Sequence, residues 1–193
     1  MNSRADRAAW VDESESDATL DPGTYVLSAA IITVGAEPTI RQAMLDLQLP
    51  SKKLHWHSEA DKRRRKISDT IAALDGLEHL VVVRANVTSD RPERRRRGCM
   101  EALLWELERH DEVRVATFEA RSPTENKRDI MMVNALRGRH TISAGFRLEH
   151  TPGPAEPLLW VPDALCGAVV ADRTGRPEYL QAYDTGKIRI IDV

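Results

Sequence analysis

The apolar positions of this chain follow two rhythms. Residues 24–34, TYVLSAAIITV, are apolar on both alternate sets of positions, as in a strand covered on both faces. Residues 79–87, HLVVVRANV, and 113–120, VRVATFEA, read as further buried strands, and 8–13, AAWVDE, as a short one ended by a polar run. Between the strands the period becomes helical. Ile40, Met44 and Leu47 stand at i, i+4 and i+7, which predicts a helix over 37–47. Ile67, Ile71 and Leu74 predict another over 59–74, and Met100, Leu103, Leu104 and Leu107 a third over 91–109. The pattern also predicts a helix over 124–138, a strand over 141–150, and a last helix from LLWVPDALCGAVVA (158–171), with Pro162 suited to its first turn. In the tail from 176 onward only KIRIIDV (187–193) is patterned, alternating like an edge strand.

Asp21-Pro22-Gly23 is a strong turn signal, so the first two strands are expected to pair antiparallel. Strands alternating with helices then predict one α/β domain over 1–193, with its core over 8–175. Its sheet would be mixed: a hairpin joined to parallel strands through helical crossovers.

Composition narrows the picture. Hydrophobic residues make up 41% and charged residues 30% of 193, an ordinary globular balance. The net charge of −2 means that the molecule as a whole does not attract nucleic acid. Binding of that kind would depend on local patches, and two exist: KRRRK (62–66) and RPERRRRG (91–98), in a chain with 22 arginines and 6 lysines. Cys99 and Cys166 lack zinc-like spacing and sit in apolar helical patterns, as buried thiols of a reducing compartment do. The polar N-terminus has no apolar core of a signal peptide, and no apolar run reaches the ~20 residues of a membrane span, so a cytosolic protein is expected. Phosphate-loop, dinucleotide-loop and serine-hydrolase motifs are missing.

The candidate chemistry lies in acids at element ends. Asp12 shares a strand face with Trp10, at the rim of a core. Glu119 ends a strand on the same alternate set as Val113, Val115 and Thr117; Arg121, two residues on, would pair with it or meet substrate. Asp129 lies on the stripe of Met132, Val133 and Leu136. Asp163 is the lone charge in the last apolar helix, near its start, where the helix dipole would favour an anion. Each of these acids has a structural explanation on its own. Together, carboxylates converging from distant segments suit hydrolysis of phosphodiesters with Mg²⁺ or Mn²⁺, which take oxygen ligands. KKLHWHSE adds Lys53, His55 and His57, the two histidines on one side of an expected extended connector; Lys53 and His55 would orient water or meet a phosphate.

These motifs resemble the domain-of-unknown-function 3800 family, a ribonuclease-H-like group. WVDESES matches its opening strand ending in Asp-Glu-Ser-Gly, except that Glu15 replaces the glycine. Asp163 to Gly167 matches its late Asp-x-x-x-Gly helix. The resemblance implies a ribonuclease-H-like mixed sheet flanked by helices, with Asp12 and Asp163 as metal ligands and Glu119 in the place of a central-strand acid. Asp129 rests on its position alone. The function expected is therefore a divalent-metal-dependent nuclease of RNA or DNA, with Asp12, Glu119, Asp163 and Asp129 as its acids and Lys53, His55 and Arg121 toward substrate. The alternatives are a non-catalytic module binding nucleic acid or a protein on the same fold, and a phosphoesterase of small molecules. Exposed strand edges would permit a homodimer.

Overall fold

The computed structural model describes residues 6–50, 53–183 and 186–193. The first residues of the polar N-terminus and Lys52 of the 52–58 connector lie outside them. The chain forms strands β1 (Arg7–Glu15), β2 (Tyr25–Thr33), β3 (Leu77–Arg84), β4 (Val115–Glu119), β5 (Arg147–Thr151) and β6 (Ile188–Asp192). Its helices are α1 (Glu37–Leu47), α2 (Asp61–Ala72), α3 (Pro92–Arg109), α4 (Pro123–Gly138) and α5 (Trp160–Arg173).

One six-stranded sheet runs in the order β5-β4-β1-β2-β3-β6. The β1–β2 and β2–β3 pairs are antiparallel; β4 joins β1, β5 joins β4 and β6 joins β3 in parallel. The expected mixed sheet is thus observed, with one change: the antiparallel part has three strands. β2 is buried along almost its whole length, as its two-sided apolar pattern requires. Gly23, at φ +73°, turns the chain between β1 and β2; a Cβ there would lie 2.6 Å from the backbone nitrogen of Thr88.

Helices cover both faces. On one, Ile40 and Met44 of α1, Ile67 and Ile71 of α2, and Leu165 and Val169 of α5 pack with Val26, Ala30 and Val81. On the other, Met100, Leu103 and Leu104 of α3 and Met132 and Val133 of α4 pack with Leu27, Leu80 and Phe118. Each such side chain contributes about 1.5–3 kcal/mol relative to exposure. Both cysteines are free and buried. Among the described residues no helix is long and apolar enough to cross a membrane.

Two expectations change in detail. The strand predicted over 141–150 is confined to Arg147–Thr151, because its only partner, β4, is five residues long. Ile142 and Phe146 are buried anchors of the preceding loop. The tail contributes β6, an edge strand beside β3.

Candidate active site

Strand pairing brings the first two acids together. In the parallel β1–β4 pair, Val11 lies opposite Phe118, so the next residues, Asp12 and Glu119, stand side by side where the pairing stops; Glu119 ends β4, whereas β1 runs on to Glu15, past the end expected at Glu13. Ala9, Val11 and Phe118 face α3 and α4, while Trp10 packs on the other side. By alternation Asp12 and Glu119 face α5.

Two contacts dock the start of α5 over this point. Ser28, the register partner of Asp12, donates its hydroxyl to the carbonyl of Pro162 at 2.8 Å. The Cys166 thiol lies 3.4 Å from the Asp12 carbonyl. Between these two anchors stands Asp163, in the first turn of α5. The helix begins at Trp160, so Pro162 falls in its first turn as expected and Asp163 is its fourth residue. Its carboxylate is answered from outside the helix. The Trp56 backbone N–H donates to it at 2.9 Å, and Nδ1 of His55 lies 3.3 Å away. His55 is extended, as expected of this connector, but Trp56–Ser58 form a short 3-10 turn. Gly167 makes this close approach available: a Cβ there would stand 2.1 Å from the Trp56 ring.

The Glu119 carboxylate accepts from Lys53 Nζ through both oxygens, at 2.7 and 2.8 Å. Asp12 accepts the N–H of Glu13 at 2.8 Å. Burial, then the charges of Asp163 and Glu119, hold the Asp12 carboxyl well above its usual range. The hydrogen bond to Asp163 raises the His55 imidazole, and burial pushes up the Cys166 thiol. The site therefore holds three carboxylates against one ammonium, with an imidazole biased toward its charged form.

The expected fourth acid is not brought to this cluster. Asp129 of α4 lies on the opposite side of the sheet and is 2% exposed. Arg96 of α3 grips it through two nitrogens at 2.7 and 3.1 Å, and Arg121 and His150 each approach it at 3.1 Å. Arg96 also donates to Glu13 at 2.6 Å. Arg121, expected beside Glu119 or toward substrate, belongs to this second network too, close to Glu13, Glu93 and Glu125. Part of the second arginine run is thus internal: Arg96 is buried, and Arg95 pairs with Glu15. In the first run Lys62, Arg65 and Lys66 remain exposed. The shared burial of Asp129 with its apolar stripe was read correctly from the chain; its arginine partner, 33 residues away, carries no local signal. The Trp56–Gly167 contact had one, a small residue one turn after Asp163, but nothing in the chain names the ring that uses it.

Among the described residues, no three His, Cys, Asp or Glu side chains stand close enough to hold one metal ion as they are placed. Glu119 and Asp163 are each engaged by a protein donor. The donor set itself suits a hard divalent cation: it is all carboxylate oxygen and carries an excess of negative charge that burial makes costly on Asp12.

Two solved structures share the fold. A ribonuclease HII from Archaeoglobus fulgidus, in a complex with PCNA, superposes with a TM-score of 0.55 at 16% identity, covering 90% of this chain and 76% of that one. The ribonuclease H2 of Pyrococcus horikoshii OT3 does so with a TM-score of 0.57 at 16% identity, over 91% and 75% of the two chains. No protein-family model and no curated protein matches the chain. The fold is ribonuclease-H-like: a mixed sheet flanked by helices in a single domain.

Proposed function

We propose that this chain is a divalent-metal-dependent nuclease, hydrolysing phosphodiester bonds of RNA or DNA. The observation that carries the reading is the convergence of Asp12, Glu119 and Asp163, from three distant segments, where the pairing of the central parallel strands stops, with Asp12 half-buried among like charges. A structural acid is normally matched by a cation or by hydrogen bonds; a cluster left short of positive charge is a functional arrangement. The likeness to ribonucleases HII in fold supports the same reading, as do the Asp12-Glu13-Ser14 and Asp163-to-Gly167 motifs that resemble the domain-of-unknown-function 3800 family.

Asp12, Glu119 and Asp163 would hold Mg²⁺ or Mn²⁺, which supplies Lewis acidity toward a phosphate oxygen and an activated water. The chain's own part is orientation. Trp56 N–H holds Asp163 in place, and Ser28 and Cys166 hold its helix to the strand that carries Asp12. His55, half exposed and biased toward its protonated form, stands at the mouth of the cluster as a donor for a substrate phosphate. Lys62, Arg65 and Lys66, exposed on α2, would add positive charge toward a nucleic-acid backbone.

Calorimetric titration of Mn²⁺ tests the reading. Binding to the wild type that is lost in both Asp12→Asn and Asp163→Asn, with the fold retained, is expected. Wild-type protein that binds no Mn²⁺ and cleaves neither RNA nor DNA would sink it. The alternative, a non-catalytic binding module on the same fold, is favoured by one observation: Lys53 already answers Glu119, and Trp56 and His55 already answer Asp163.

A further inference from the structure

Lys53 was expected near substrate, yet it donates to both oxygens of Glu119. The contact is closely housed. A Cβ on Gly153 would fall 2.1 Å from Glu119 Oε1 and 2.4 Å from Lys53 Nζ, so the backbone of the turn at Gly153–Ala155 closes directly over the pair. That turn is tied down in its own right, because Trp160 Nε1 donates to the Gly153 carbonyl at 2.8 Å. The ammonium therefore sits in a slot built for it, against a carboxylate whose neighbours Asp12 and Asp163 carry the same charge.

We infer that Lys53 is a positioning residue that competes with the divalent ion for Glu119. The inference rests on the metal reading of the cluster. With both of its oxygens on the ammonium, Glu119 is occupied, and an ion held by Asp12 and Asp163 would gain it only by displacing Lys53. The exchange is chemically balanced: a divalent cation replaces a monovalent one, and the ammonium moves out still charged. It is also accessible. The Lys53 and Glu119 side chains are 20% and 24% exposed, so water and salt screen the pair, and a lysine stem has the freedom to swing. Lys53 thus balances the charge of Glu119 and sets the concentration at which metal enters.

Mn²⁺ titration of the full chain tests this, comparing the wild type with Lys53→Met and Lys53→Arg. Methionine keeps the unbranched apolar stem and removes the charge. Lys53→Met is expected to bind Mn²⁺ about tenfold more tightly, the equivalent of removing about 1.4 kcal/mol of competition, whereas Lys53→Arg, which keeps the charge, should not gain. A lysine that merely supported the fold would give the opposite sign, since its loss would loosen the site. Unchanged or weaker binding in a folded Lys53→Met protein, with the wild type binding, would overturn the inference and leave the metal reading intact. Binding by neither protein would overturn the inference, and with no cleavage of RNA or DNA it would overturn the metal reading as well. Circular dichroism of each variant establishes that it is folded.

Discussion

Asp12 and Glu13 are adjacent residues of one strand, and the strand's pleat sends them into opposite worlds. On the α3/α4 side, Glu13 and Asp129 meet Arg96, Arg121 and His150, so buried negative charge is matched by buried positive charge. On the α5 side, among the described residues, Asp12, Glu119 and Asp163 face a single ammonium, a half-exposed imidazole and two backbone N–H groups. Both clusters combine half-buried and buried acids; they differ in whether cations complete them. A completed cluster holds a fold together. An incomplete one spends stability to keep charge ready for something that binds.

The largest effect should come from breaking the complete side. Asp129→Asn leaves Arg96 buried without its bidentate partner, and unfolding by urea should report a loss of about 3–5 kcal/mol. A loss under 1 kcal/mol would mean that the matched cluster is not what holds α3 to α4.

A smaller loss should follow from Gly167→Ala, which drives a methyl into the Trp56 ring. Overpacking of this kind costs about 1–3 kcal/mol. Because Trp56 N–H holds Asp163, Mn²⁺ binding should weaken along with stability. Full-strength Mn²⁺ binding in this variant would detach the ring contact from the site.

The smallest effect should have the opposite sign. Asp12→Asn removes the charge that burial and its neighbours disfavour, and it should stabilise the protein by about 1 kcal/mol at neutral pH. The pH dependence follows from the raised carboxyl. Its folded form prefers the proton more than its unfolded form does, so its contribution to stability is present at low pH and is lost as pH rises through the raised value. Wild-type denaturation midpoints measured from acid to neutral pH should carry that decline, and Asp12→Asn should lack it. If both variants, Asp129→Asn and Asp12→Asn, lost stability alike, the contrast between the two faces would collapse.

The elements were largely legible in the chain. α1 falls where Ile40, Met44 and Leu47 place it, and α3 and α4 begin within a residue or so of their predicted starts, because apolar period and turn residues act locally. The strand at 141–150 was overextended for the converse reason: its length is set by β4, a partner it does not see in sequence. Asp12, Glu119 and Asp163 were each identifiable as acids on apolar faces, a property of alternation and periodicity, although β1 runs three residues beyond Asp12 and so does not end there. Asp129 met the same criterion and lies elsewhere, for the criterion records burial and not which side of the sheet is meant.

The sequence by itself determined which residues are buried, where helices and strands run, and that carboxylates lie where an unmatched charge is costly, since all of these follow from the spacing of side chains along a backbone of known period. Only the tertiary structure decided which acids meet and which cations answer them. The register of β1 against β4 put Asp12 beside Glu119, the docking of α5 through Ser28 and Cys166 added Asp163, and Arg96 took Asp129 away to the other face. Electrostatic partnership acts over a few ångströms in space, across 33 to more than 100 residues of chain, and no local pattern carries it.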